Sequence, residues 1–119
     1  MTILVVDDSS VMRKIVIRSL RQAGYGDHPV EQAEDGAEGL EKAKAVTPSV
    51  ILSDWNMPNM NGLEFLDALR AESINTPFGF VTSESTAEQK AQAMASGAQF
   101  LLSKPFTADD LEAQLSHFL

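Results

Sequence analysis

Short apolar runs alternate with longer amphipathic ones along the whole chain. Ile3–Val6 reads ILVV, a β-branched run with no polar position, the pattern of a strand buried on both faces. From Ser10 the period changes: Met12, Ile15, Val16 and Leu20 recur at helical spacing, and Gly24 is placed to end that helix. Val30–Ala33 (VEQA) is a weaker strand, and Asp35 to Ala45 a modest helix closing before Pro48. Val50–Ser53 is the third strand; Leu63, Leu66 and Leu69 then mark a helix that stops before Pro77. Phe78–Thr82 (FGFVT) is the fourth strand. The next helix is predicted to start with Ser85 as N-cap and Glu88 as its capping-box partner, and Gly97 to close it. Phe100–Leu102 is the fifth strand, and the last helix starts at Thr107 with Asp110 as box partner, burying Leu111, Leu115 and Phe118. Five βα units in succession predict an α/β fold: one parallel sheet with helices on both faces. Right-handed crossovers leave few topologies for it, and ligands in such sheets bind outside the C-terminal strand ends.

Composition narrows the functional classes. The 119 residues suit one domain, taken as residues 1–119, and 44% hydrophobic content supports a packed core. No apolar run approaches the ~20 residues of a membrane helix, and "MTILVVDDSS" carries neither a basic lead nor a cleavage site. The chain has no cysteine, which excludes disulfides and thiolate chemistry. By elimination a cytoplasmic protein is expected. A net charge of −8 argues against direct binding to nucleic acid and leaves carboxylates free to attract a divalent cation.

The strand ends carry the chemistry. The first ends in Asp7 and Asp8, the third in Asp54, the fourth in Thr82 and Ser83, and the fifth in Ser103 and Lys104 before Pro105. Singly, each has an ordinary explanation: a turn aspartate, a helix start, a strand end, a solvated lysine. Together, each at the end of a different strand, they form a set. If those strands are neighbours, three carboxylates converge and repel, a repulsion that Mg²⁺ relieves. Lys104 adds a compact positive charge and Thr82 a hydroxyl donor. A metal, a nucleophilic aspartate and donors for a moving phosphoryl group are what phosphoryl transfer to a carboxylate needs.

The stretches VVDDSS, LSDWNMPNMNG, FVTSE and LSKPFT together resemble the receiver domains of two-component response regulators, single-domain chemotaxis regulators of the CheY type above all. The resemblance spans the whole chain. It implies a flavodoxin-like (βα)5 fold with strand order 2-1-3-4-5. It further implies that Asp54 is the phosphoacceptor, that Asp7, Asp8, Asp54 and the backbone carbonyl of Asn56 hold Mg²⁺, that Lys104 pairs with the carboxylate and later the phosphoryl group, and that Thr82 is a switch hydroxyl. A cis bond is expected between Lys104 and Pro105, and Asn56 and Glu84 are expected to border the water that hydrolyses the acyl phosphate. Two features depart from the pattern. Leu101 stands where an aromatic or threonine switch residue is common, with Phe100 expected on the opposite face. Ala87 and Gln114 are uncharged where lysines meet an acidic motor peptide, although Lys90 is nearby. Trp55 is expected to pack beside the site without chemistry, and His28 and His117 are assigned no role.

The expected function is a phosphorylation-dependent switch, not an enzyme of outside substrates, although it promotes its own phosphorylation and dephosphorylation. A histidine kinase supplies the phosphoryl group, and a partner, such as a flagellar motor or chemotaxis component, reads the face built by the fourth helix, fifth strand and fifth helix. No membrane partner is expected, and the chain is expected to be a monomer. Alternatives remain: the receiver of a longer regulator, a phosphate sink or relay, and an Mg²⁺-dependent hydrolase with an aspartate nucleophile. The last normally shows D-x-D after the first strand, where this chain has DDSS. A dinucleotide fold lacks its G-x-G-x-x-G.

Overall fold

The computed structural model describes residues 2–83 and 85–119. Its elements follow the predicted alternation: β1 (Ile3–Val6), α1 (Ser10–Leu20), β2 (Val30–Ala33), α2 (Gly36–Val46), β3 (Val50–Ser53), α3 (Gly62–Ala71), β4 (Phe78–Thr82), α4 (Ala87–Ala95), β5 (Phe100–Ser103) and α5 (Ala108–Leu115). The strands form one parallel sheet in the order β2-β1-β3-β4-β5. Every residue of β1, β3 and β4 is buried, because helices cover both faces.

Alternate strand residues serve opposite layers. Leu4, Val6, Ile51, Phe78 and Phe80 pack with Ala43 of α2, Phe65, Leu66 and Leu69 of α3, and Ala93 of α4. Ile3, Val5, Val50, Leu52, Val81 and Phe100 pack with Val16 and Leu20 of α1 and Leu111 and Leu115 of α5. Phe118 lies past the end of α5, partly buried, its ring stacked on Phe100 at 6.3 Å between centroids.

Three helix details and one strand end depart from the sequence reading. The core face of α1 is built on Val16, Ser19 and Leu20, whereas Ile15 is 45% exposed. Helix α1 continues into a π-helical turn over Arg21–Tyr25, inside which Gly24 adopts φ 100°, a left-handed conformation that favours glycine. The N-cap of α4 is Thr86 rather than Ser85: the Thr86 hydroxyl accepts from Gln89 N–H at 3.1 Å, and Gln89 Oε1 accepts from Thr86 N–H at 3.2 Å. Both S-T-A-E and T-A-E-Q fit a capping box, and the structure forms the second. Finally, β5 runs one residue further than expected, to Ser103.

Candidate functional site

The ladder hydrogen bonds of the sheet continue one residue past three strand ends, and these bonds fix the polar residues there. Asp7 N–H donates to Ala33 of β2 at 3.1 Å, Asp54 N–H to Val6 of β1 at 2.9 Å, and Lys104 N–H to Thr82 of β4 at 2.8 Å. Because the strands are parallel and adjacent, the three side chains arrive at the same edge of the sheet. Asp8 follows Asp7 on the exposed side, and Ser9 caps α1 by accepting from Met12 N–H at 3.2 Å.

Among the described residues, Asp7, Asp8 and Asp54 bring one carboxylate oxygen each within 4.8 Å of one another. Lys104 Nζ lies 3.3 Å from Asp7 Oδ2 and 3.6 Å from Asp54 Oδ2, with side chains only 15%, 5% and 15% exposed respectively for Lys104, Asp7 and Asp54. Asp54 Oδ1 accepts from the Trp55 N–H at 2.7 Å, leaving Oδ2 toward the lysine. Asp7 Oδ1 accepts from Ser9 N–H at 2.9 Å. Burial pushes the Asp54 carboxyl above its ordinary range; Asp7 and Asp8 push it further up, against the pull of Lys104 and the Trp55 N–H. An anionic cluster in which one acid resists ionisation, made only of oxygen donors, suits a hard divalent cation such as Mg²⁺.

The following loop is packed against Asp54. A Cβ on Gly62 would stand 2.2 Å from the Asp54 carbonyl oxygen and 2.8 Å from the Phe80 ring. Gly62 is thus required by close approach of α3 to Asp54, rather than by a special turn conformation. Trp55 is buried, its ring 4.7 Å from that of Phe80, and joins the α2–α3–α4 core. Lys104–Pro105 is cis, as expected.

The remaining predicted residues are distributed around this cluster. Thr82 is fully buried, its backbone carbonyl bonded to Lys104. Leu101 is partly buried in the same layer as Phe80, whereas Phe100 points into the opposite layer, as strand alternation requires. Asn56 is exposed, two residues beyond Asp54, and Ser83 is exposed after β4. Glu84, expected to border the attacking water, lies outside the described residues. The His28 ring meets Tyr25 edge to face at 5.7 Å between ring centroids, and His117 the ring of Phe118. Arg13 is the residue that sequence reasoning missed: its guanidinium donates to the Asp7 carbonyl oxygen and, at 2.9 Å, to Gln32 Oε1. No local signal marks it, because Gln32 lies on another strand.

Two larger cavities lie away from the acids. One of about 290 Å³ is lined by Arg21, Tyr25, His28 and Gln32 among others. The other, about 330 Å³, is an apolar groove of Met12, Ile15, Pro105 and Phe106 that touches the site only through Lys104. No described helix is long and apolar enough to cross a membrane.

Residues 3–116 match the model of the response regulator receiver domain. The chain is 39% identical over 118 residues to the chemotaxis protein CheY1 of Helicobacter pylori, covering 97% of this chain and 94% of that protein. It is 38% identical over 117 residues to the chemotaxis protein CheY-3 of Vibrio cholerae, covering 97% and 88%. The solved structure of chemotaxis protein CheY4 of Vibrio cholerae superposes with a TM-score of 0.87 at 41% identity, covering 99% of this chain and 98% of that one. The receiver domain of the putative response regulator NarL from Mycobacterium tuberculosis follows the same fold, with a TM-score of 0.86 at 29% identity over 98% and 93%. A parallel sheet in the order 2-1-3-4-5, its acid cluster and these near-full-length likenesses agree: the chain belongs to the response regulator receiver domain family and is similar to CheY-like chemotaxis regulators.

Proposed function

We propose that residues 1–119 act as one receiver domain in which Asp54 takes a phosphoryl group from the phosphohistidine of a histidine kinase. The observation that carries the reading is the Asp54 carboxylate itself, held at a strand tip between two acids and 3.6 Å from Lys104 Nζ. In the reaction the phosphorus–nitrogen bond to histidine breaks and a phosphorus–oxygen bond to Asp54 forms. Asp7, Asp8, Asp54 and the backbone carbonyl of Asn56 would hold Mg²⁺, which supplies charge neutralisation for the acids and the phosphoryl oxygens. Lys104, now shared between Asp7 and Asp54, turns to the phosphoryl oxygens, and the Thr82 hydroxyl donates to one of them. Asn56, together with Glu84 beyond the described residues, sets the lifetime of the acyl phosphate.

The readout is a shift of Thr82 and Leu101, which share the α2–α3–α4 side of the sheet, felt at the surface formed by α4, β5 and α5. The effector is a protein that reads this surface; the CheY names of the relatives favour a chemotaxis component. Incubation with acetyl phosphate and Mg²⁺, followed by mass spectrometry, tests the chemistry. One acid-stable, base-labile phosphoryl group on Asp54, absent from Asp54→Asn and from Mg²⁺-free samples, is expected. An acyl phosphate on Asp7 or Asp8 of the unaltered protein would overturn the assignment.

A further inference from the structure

Asp8 differs from its two neighbours in how it is held. Asp54 is fixed by the Trp55 N–H, and Asp7 by the Ser9 N–H and Lys104. Asp8 is exposed, and among the described residues no hydrogen bond or ion pair orients its carboxylate. Its direction therefore depends on the backbone that carries it. The Asp7 carbonyl and the Asp8 N–H belong to one planar peptide unit, so fixing that carbonyl fixes where the chain leaves for Asp8. The group that holds it is Arg13, whose Nη1 donates to the Asp7 carbonyl oxygen. Arg13 sits in the first turns of α1, its N–H bonded to the Ser9 carbonyl at 3.0 Å, and its side chain leans back toward the helix start. A second bond, Nε to Gln32 Oε1 at 2.9 Å, anchors the guanidinium on β2. The rigid fork of an arginine serves both bonds at once, which the single ammonium of a lysine does not.

We infer that Arg13 is a positioning residue for divalent-cation binding: by locking the Asp7–Asp8 peptide against β2, it presets the Asp8 carboxylate beside those of Asp7 and Asp54. This rests on the reading of the three acids as a metal site and names the part that aims the least constrained of them.

Charge and position make opposite forecasts. A guanidinium near a cation site repels the cation, so through charge alone its removal tightens Mg²⁺ binding, and salt weakens that effect. Removal of a positioning group loosens binding, with little dependence on salt. Mg²⁺ is titrated into the purified full chain, following the fluorescence of its one tryptophan, Trp55, whose backbone N–H bonds Asp54, at low and high salt. Arg13→Met is expected to weaken Mg²⁺ about tenfold, the low end for outer partners of metal ligands. Arg13→Lys, which keeps the charge, should follow Arg13→Met rather than the parent. Gln32→Ala should weaken binding less, and Arg13→Met combined with Gln32→Ala should be no weaker than Arg13→Met alone, since both break one linkage. In the metal-free protein, the carbonyl carbon signal of Asp7 should move in Arg13→Met and in Gln32→Ala while the fold, checked by circular dichroism, is unchanged. Unchanged or tighter Mg²⁺ binding in Arg13→Met overturns the inference alone, provided that Asp8→Ala weakens binding. A parent protein that binds no Mg²⁺ overturns both the inference and the metal-site reading beneath it.

Discussion

Asp54 is held where its charge is least welcome. Burial is the largest cause of its raised pKa, the neighbouring acids add to it, and Lys104 offsets only part. A carboxyl that binds its proton more tightly folded than unfolded stabilises the fold below the ordinary aspartate range, and that contribution is lost as pH rises through the raised value. With metal removed by EDTA, the melting temperature should therefore fall as pH rises across this window. Asp54→Asn should flatten that slope and melt higher than the parent at neutral pH, as followed by circular dichroism. A lower melting point for Asp54→Asn would mean that the attraction of Lys104 outweighs burial. Lys104 has a different task, since its Nζ is shared by two acids on separate strands. Lys104→Ala should still take phosphate from acetyl phosphate, at a reduced rate, but fail to transmit it. Amide shifts in α4 and β5 that respond to phosphorylation in the parent should stay still in the variant. These residues were legible in the sequence because each ends its strand, and position in the chain reports position in space when strands are parallel. Arg13 was not, since its partners, the Asp7 carbonyl and Gln32, meet only in the fold.

At the scale of elements, helix ends show how far local pattern reaches. Thr107 with Asp110 forms the predicted box, and Asn61 with Glu64 forms another. For α4, two overlapping motifs compete, and the register that seats Ala93 in the core takes Thr86. Thr86→Ala should cost about 1 kcal/mol in urea unfolding, and Ser85→Ala close to nothing. Equal losses would place the cap elsewhere. Arg70 was invisible for another reason: it acts on loops distant in sequence. Its guanidinium donates to the carbonyls of Ile74 at 2.7 Å and of Thr76 and Gly97 at 3.0 Å each, joining the end of α3 to the turns before β4 and β5. The half-buried guanidinium loses water by this burial, which lowers its pKa, and the three carbonyls replace that water. Arg70→Met keeps the stem and removes the donors, so a loss of roughly 2–3 kcal/mol is expected in the same assay. Gly62 illustrates a third limit. A glycine before a helix reads as a turn, whereas here the need is space for the Asp54 carbonyl.

For the molecule as a whole, the order of the strands followed from alternation and a resemblance, but the unequal grip of its layers did not. Helix α3 buries Phe65, Leu66 and Leu69, and α5 buries Leu111 and Leu115. Of the nine residues of α4, only Ala93 is buried, while Met94 is 39% exposed. Burying a leucine or phenylalanine is worth about 2–3 kcal/mol, whereas an alanine offers a single methyl. Helix α4 is thus more weakly anchored than α3 or α5, and it adjoins β5, which carries Leu101 and leads to Lys104. Elements with few buried side chains open locally at low free energy, and such elements are the ones a small change at a site is able to redirect. Native-state hydrogen exchange tests the ranking without knowledge of any partner. In the metal-free chain, the amides of α4 should exchange faster than those of α3 and α5, with β1 and β3 slowest of all. Saturation with Mg²⁺ and a phosphoryl mimic should change exchange in α4 and β5 more than in α2, because in the proposed readout the signal leaves Asp54 by way of Thr82 and Leu101. Protection in α4 equal to that of α3, or a response confined to α1 and α2, would show that the signal takes another route through the sheet.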